Sequence, residues 1–175
     1  MTNKTKKGLK NPRAKGSEFE RDIAKLLSSW SGRGFERVPL SGGLRWKEDN
    51  NVTGDIVPPM ELDFPVSIEC KKVEEDWDFD RLLEGTSGIW KWWNQCCGDC
   101  DRVNKQPWLI FCKNFRKPQL MLKGAVFEAY ASVCTSLNTK QHLYSRTCKG
   151  SVVIMKLNDF LDCVTLEQVL SVKTL

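Results

Sequence analysis

The sequence predicts an α/β chain with mixed α+β character, a central mixed β-sheet flanked by helices, and three observations carry that prediction. A helical period opens the chain: Phe19, Ile23, Leu26, Leu27 and Trp30 recur at steps of three and four between Ser17 and Ser31. Two β-like runs follow, Gly54-Asp55-Ile56-Val57 and Val66 to Lys71, with a turn around Glu61 to Pro65 between them. A tryptophan-rich helical segment, Ile89 to Cys96, then leads into the apolar run Trp108 to Cys112. Helix, strands, helix and further strands pack as a sheet layered with helices.

In order, Ser17 is a suitable N-cap for the first helix, and Gly32 and Gly34 end it. Glu20 lies in its first turn, about a hundred degrees round from Phe19, at the border of the apolar face. Phe35 to Leu40 reads as a short edge strand, because Pro39 cannot donate to a ladder. Ser41 to Thr53 is a polar loop containing Gly42-Gly43, Arg45, Trp46 and Lys47. Glu74, Glu75, Asp76, Asp78 and Asp80 form an acidic stretch, read as a solvated loop. Ser87 stands near the start of the tryptophan-rich helix and Gly98 near its end. After Pro107 and the strand it opens, Asn114 to Pro118 turns the chain into Gln119 to Leu122. Residues 125 to 137 read as a helix, Val152 to Met155 as a last strand, Asn158-Asp159 as a capped turn, and Thr165 as the cap of a terminal helix.

A chain of 175 residues has the size of one domain. No apolar run approaches the 18 to 20 residues or so that a membrane span needs, and the first residues lack the apolar segment of a secretory signal. The net charge is +5. Lys4, Lys6, Lys7, Lys10, Arg13 and Lys15 carry +6 within residues 1 to 15, which hold no acid, so the rest of the chain sums to −1. Residues 1–15 thus read as a basic arm suited to neutralising phosphates, with a single domain at 16–175; a solubilising tail is the competing reading. Eight cysteines, several within apolar patterns, fit reduced thiols in a cytoplasm better than a disulfide framework. Cys96, Cys97 and Cys100 include one Cys-x-x-Cys, half of a zinc site with no second pair at ligand spacing. A structural role at a helix end is the simpler reading.

The chemistry concentrates on the two central strands. Residues i and i+2 of a strand share a face, so Ser67, Glu69 and Lys71 point one way and Val66, Ile68 and Cys70 the other. Asp55 on the partner strand can join Glu69 and Lys71. Two acids beside an ammonium can hold a divalent cation and steady charge on a phosphoryl group, the equipment for cutting a phosphodiester. Taken alone, Glu-x-Lys is more often a surface pair, and an Asp after Gly a turn residue. The order of the pieces makes them specific. His142, the only histidine, reads as a surface or structural residue, which argues against a histidine general base.

Lys15-Gly16, Phe19-Glu20-Arg21, Arg37-Val38-Pro39 with Ser41-Gly42, Gly54-Asp55-Ile56 and Ile68-Glu69-Cys70-Lys71 together resemble the PD-(D/E)xK nuclease superfamily. Within it the chain looks most like the archaeal and phage Holliday-junction resolvases, over residues 15 to 72. Gln95 and Pro107 match more loosely. The resemblance implies a restriction-endonuclease-like fold, dependence on Mg²⁺ with Mn²⁺ as a substitute, and a homodimer making paired nicks in four-way DNA inside a prokaryotic or phage-infected cell. It implies Glu20, Asp55 and Glu69 as metal ligands, Lys71 as the residue that orients water, and Ser41 near the scissile phosphate. Lys15, Arg21, Arg37 and Gln95 become DNA-binding candidates, joined by Arg45, Trp46 and Lys47, where Trp46 would wedge against bases. Trp90 and Trp93 share a helix face and read as core, whereas Trp92 projects elsewhere as a dimer or DNA contact. Two further readings stand beside this one: a related nuclease without junction preference, and a non-catalytic basic DNA-binding protein of phage replication or packaging.

Overall fold

The computed structural model describes residues 12–38, 53–73, 79–113, 115–147 and 150–172. Its first helix, α1 (Pro12–Ser31), begins five residues before Ser17, the N-cap expected from sequence. Proline is favoured at a first helical position, where a missing N–H costs nothing. Residues 12–15, assigned above to the arm, are therefore helical. Phe19, Ile23, Ala24 and Leu27 form the buried stripe of α1. Gly32, in the left-handed region at φ 65°, takes the chain out of the helix.

The predicted hairpin is present and has a third member. β1 (Glu36–Arg37) pairs antiparallel with β2 (Ile56–Val57), and β2 pairs antiparallel with β3 (Val66–Val73). A short helix, α2 (Phe79–Leu83), follows where sequence suggested only an acidic loop; residues 74–78 lie outside the described residues. The tryptophan-rich helix α3 (Gly88–Asp101) is capped by Ser87, whose hydroxyl accepts the Ile89 N–H. Gly98 lies near its end, as expected, and the helix runs on to Asp101. Burial of Cys100 on its inner face outweighs the roughly 1 kcal/mol that a mid-helix glycine costs.

β4 (Gln106–Lys113) runs parallel to β3, as a helical crossover requires, and antiparallel to β5 (Gln119–Lys123). Pro107 is tolerated in this central strand because the β5 pairing begins only at Leu109. α4 (Gly124–Val133) and a 3₁₀ turn (Thr135–Thr139) replace the single helix expected over 125–137. β6 (His142–Thr147), which sequence reasoning missed, pairs with β7 (Gly150–Lys156). α5 (Leu157–Leu161) and α6 (Leu166–Ser171) close the chain, the latter through a capping box between Thr165 and Gln168.

The sheet order is β1-β2-β3-β4-β5-β7-β6. One face carries Ile68, Cys70, Ile110, Leu120, Val153 and Met155, packed with buried residues of α1, α4, α5 and α6. At its centre Trp108 meets Phe64 and Phe160 edge-on, at centroid distances of 6.0 and 5.2 Å. Truncating so buried an aromatic costs about 3–5 kcal/mol. The other face carries Leu109, Phe111, Met121, Val152 and Ile154 beneath Ile89 and Trp93 of α3. Trp90 and Trp92 are half-buried against this second cluster, so Trp92 is not the free projection expected of it. The Trp90 indole donates to the Leu82 carbonyl at 3.0 Å. His142 is exposed, its Nδ1 2.8 Å from the Lys140 carbonyl and its ring beside Phe127. Among the described residues no helix is long and apolar enough to cross a membrane.

Candidate active site

The register fixes which way β3 aims its polar residues. Glu69 lies opposite Leu109 and Lys71 opposite Phe111, both on the α3 face, whereas Cys70 lies opposite Ile110 on the α1 face. α3 packs against β4 and, less extensively, β3, so Glu69 and Lys71 emerge on the face of the sheet that this helix covers. Ser67 and Cys100 are hydrogen-bonded there, and Cys96 feels the charge of Glu69.

Asp55 reaches this point through a strained approach of β2 to β3. Gly54 has φ 82°, and a Cβ built on it would collide with the Ile68 carbonyl. Only glycine permits so close a crossing. The next residue then donates its N–H to the same carbonyl at 2.7 Å. The Asp55 carboxylate is buried, and its Oδ2 accepts the Cys70 N–H at 2.9 Å.

Lys71 is ion-paired with Glu69, and Arg37 with Glu20. Arg37 is registered opposite Ile56 on β2, which carries the α1 carboxylate pair to the edge of the Asp55 site. Burial pushes the Asp55 carboxyl up to about 6, and repulsion from Glu69, with a weaker contribution from Glu20, adds to it. The Cys70 N–H and the Lys71 ammonium act the other way. For Lys71, burial disfavours the charged form, but attraction and hydrogen bonding to Glu69, with Asp55, outweigh it and raise its pKa. Lys71 is therefore a persistent cation.

Asp55, Glu69 and Lys71 thus meet, and Glu20 stands close enough to be felt. Among the described residues, however, no three His, Cys, Asp or Glu side chains are drawn together as a preformed metal site. The ion pairs supply a reason, since Glu20 and Glu69 each turn toward an internal cation. The donor chemistry nevertheless fits a hard divalent ion. Two buried carboxylates repel each other beside one lysine, and oxygen donors suit Mg²⁺.

Of the other candidates, Arg21 and Gln95 are exposed, on α1 and α3, and Lys15 is partly buried in α1. Ser41, Arg45, Trp46 and Lys47 lie outside the described residues. Cys96 and Cys100 hydrogen-bond to each other, and with Cys97 they gather no metal cluster among the described residues. The Glu20–Arg37 pairing was not anticipated. Its only sequence signal is the early helix acid and the strand arginine, each read separately.

The family model described as "Phage putative PDDEXK endonuclease" matches residues 11–171. The chain is also similar to Protein D14 of Escherichia phage T5, at 32% identity over 105 residues. That similarity covers 58% of this chain and 64% of the relative, so the chain spans less than two thirds of that protein's length. No solved structure matches.

Proposed function

This chain belongs to the phage PDDEXK endonuclease family, and on that footing we propose that it is a divalent-metal-dependent endodeoxyribonuclease that resolves four-way DNA junctions by paired nicks. The observation that carries the reading is the meeting of two buried carboxylates, Asp55 and Glu69, with the Lys71 ammonium at one point on the sheet. Asp55, Glu69 and, from α1, Glu20 are the residues that would hold the metal. Bound there, Mg²⁺ or Mn²⁺ supplies activation of a water and neutralisation of phosphate charge.

The chain's own residues do the rest. The Cys70 N–H locks the Asp55 carboxylate in one orientation, which removes a reorganisation cost when substrate arrives. Lys71, cationic throughout, donates hydrogen bonds from a mobile point charge, so its role is to orient the attacking water and steady the phosphoryl oxygens. It is not the proton acceptor in this reading. Arg37, Arg21 and Lys15 supply cations for the sugar–phosphate backbone, with residues 1–11 adding Lys4, Lys6, Lys7 and Lys10. A two-fold homodimer would hold two such sites at a fixed separation, the arrangement that makes symmetric paired cuts.

Incubation with Mg²⁺ or Mn²⁺ and an end-labelled four-way junction, a linear duplex and a single strand tests this reading. Symmetric nicks confined to the junction are the expected outcome. Equal cutting of duplex would leave a nuclease without junction preference. Tight binding without cutting would leave a DNA-binding protein.

A further inference from the structure

The turn between β4 and β5 presents an aromatic ring where a folded chain has least reason to place one. Phe115 is fully exposed and sits in the left-handed region at φ 61°. A bulky L-residue is disfavoured there by contact of its Cβ with its own backbone, and glycine or asparagine usually fills such a position. The backbone around it is pinned. Arg116 N–H donates to the Lys113 carbonyl at 3.0 Å, and the Pro118 carbonyl accepts from Leu157 N–H at 3.0 Å. Strain held in place by surrounding structure is a mark of functional positions.

The charges carried by the turn itself have one sign. Residues 113 to 123 contain Lys113, Arg116, Lys117 and Lys123 and no acid, and Arg116 and Lys117 are exposed. Cations select a polyanion, and a bare aromatic face selects another π face, so the two together describe a nucleic acid with an accessible base. The position agrees. Phe111 is the register partner of Lys71, and Phe115 lies four residues further along, at most about 13 Å away at the strand rise. That reach is about four nucleotide steps of one B-form strand.

We propose that this turn reads DNA at a branch, with Arg116 and Lys117 on backbone phosphates and the Phe115 ring stacked on a base that the branch has left unstacked. The inference rests on DNA as the substrate of the neighbouring carboxylate site. An intact duplex keeps its base faces covered, so the ring contributes only where the strands open. Phe115 thereby sets preference for branched over linear DNA, while the two cations set affinity for both.

Anisotropy of a labelled four-way junction and a linear duplex of matching arm sequence, in EDTA, reads this directly. Phe115→Ala is expected to weaken junction binding about tenfold, the effect of losing one base–aromatic stack, with duplex binding changed less than twofold. Phe115→Tyr should restore the junction affinity. The double variant Arg116→Gln, Lys117→Gln should weaken both substrates and lower the slope of log K against log salt by about two. Because Phe115 packs on no core, unchanged thermal melting of Phe115→Ala accompanies the expected result. Junction affinity of Phe115→Ala within twofold of wild type overturns the proposal, as does an equal loss on both DNAs. Cleavage separates the two readings. If wild type cuts no DNA with Mn²⁺ but junction binding still depends on Phe115, the nuclease assignment falls and the turn assignment stands. If wild type cuts DNA and binding ignores Phe115, the reverse holds.

Discussion

Asp55→Asn should stabilise the metal-free protein while abolishing its cleavage of DNA. In the fold the Asp55 carboxyl is raised from 3.8 to about 6, through burial first and Glu69 second. A raised acid is favoured in its protonated form by folding, so the group adds no cost below its unfolded pKa. As pH climbs from 3.8 through about 6 the ionised carboxylate becomes increasingly unfavourable, and above that the full cost applies. At about 1.4 kcal/mol per pH unit the rise corresponds to about 3 kcal/mol. Asparagine removes the charge but keeps an oxygen for the Cys70 N–H. A neutral acceptor is the weaker one, so the net gain expected at pH 8 in EDTA is about 1–3 kcal/mol, shrinking toward zero by pH 4. Urea unfolding at pH 4, 6 and 8 measures it. Adding Mg²⁺ should narrow the gap from the other side, because metal binding stabilises wild type and not the variant. A variant no more stable than wild type at pH 8, with a gap indifferent to pH, would refute the claim that Asp55 is held ionised against its surroundings.

The remaining predictions concern the frame of the site and its charges. Gly54→Ala places a Cβ against the Ile68 carbonyl at φ 82°, so unfolding free energy should fall by at least about 1–2 kcal/mol, the left-handed penalty alone; denaturant titration reads it. Lys71→Ala should reduce cleavage by at least about a hundredfold, the scale of a lost electrostatic stabiliser, while gel-shift affinity for junction DNA stays near wild type. Deleting residues 1–11 leaves α1 whole and removes Lys4, Lys6, Lys7 and Lys10. Its DNA-binding salt slope should fall by as much as about 3.6 in log units, and an unchanged slope would show that the segment makes no phosphate contacts. Thr165→Ala breaks the capping box of α6 and should cost about 1 kcal/mol in thermal unfolding.

Much of the frame was legible because its signals are local. Phe19, Ile23 and Leu27 name the inner face of α1 at helical spacing, and all three are buried. The period of two in Ser67-Ile68-Glu69-Cys70-Lys71 predicts which side chains turn away from α1, and the register with β4 agrees. Thr165 caps the terminal helix as expected, and the structure adds Gln168 as its reciprocal partner. Elsewhere local signals misled. Ser17 lost to an earlier start at Pro12, and Trp92 packs where its helical angle suggested exposure. β6 escaped notice because an edge strand with one face in solvent has a diluted apolar pattern: His142, Tyr144 and Arg146 are exposed and Leu143 only half-buried.

Read alone, the sequence determined the sides: which residues of each strand and helix face inward, and therefore that Glu69 and Lys71 share a face. Such alternation is written within a few neighbouring residues by backbone geometry. Only the tertiary structure decided what meets what. The crossing of β2 over β3 at Gly54 buries Asp55 against the Cys70 amide, β1 carries Arg37 to Glu20, and the hairpin turn lifts Phe115 into solvent. Those juxtapositions join residues far apart in the chain, and their geometry depends on register and packing that no short run of residues encodes.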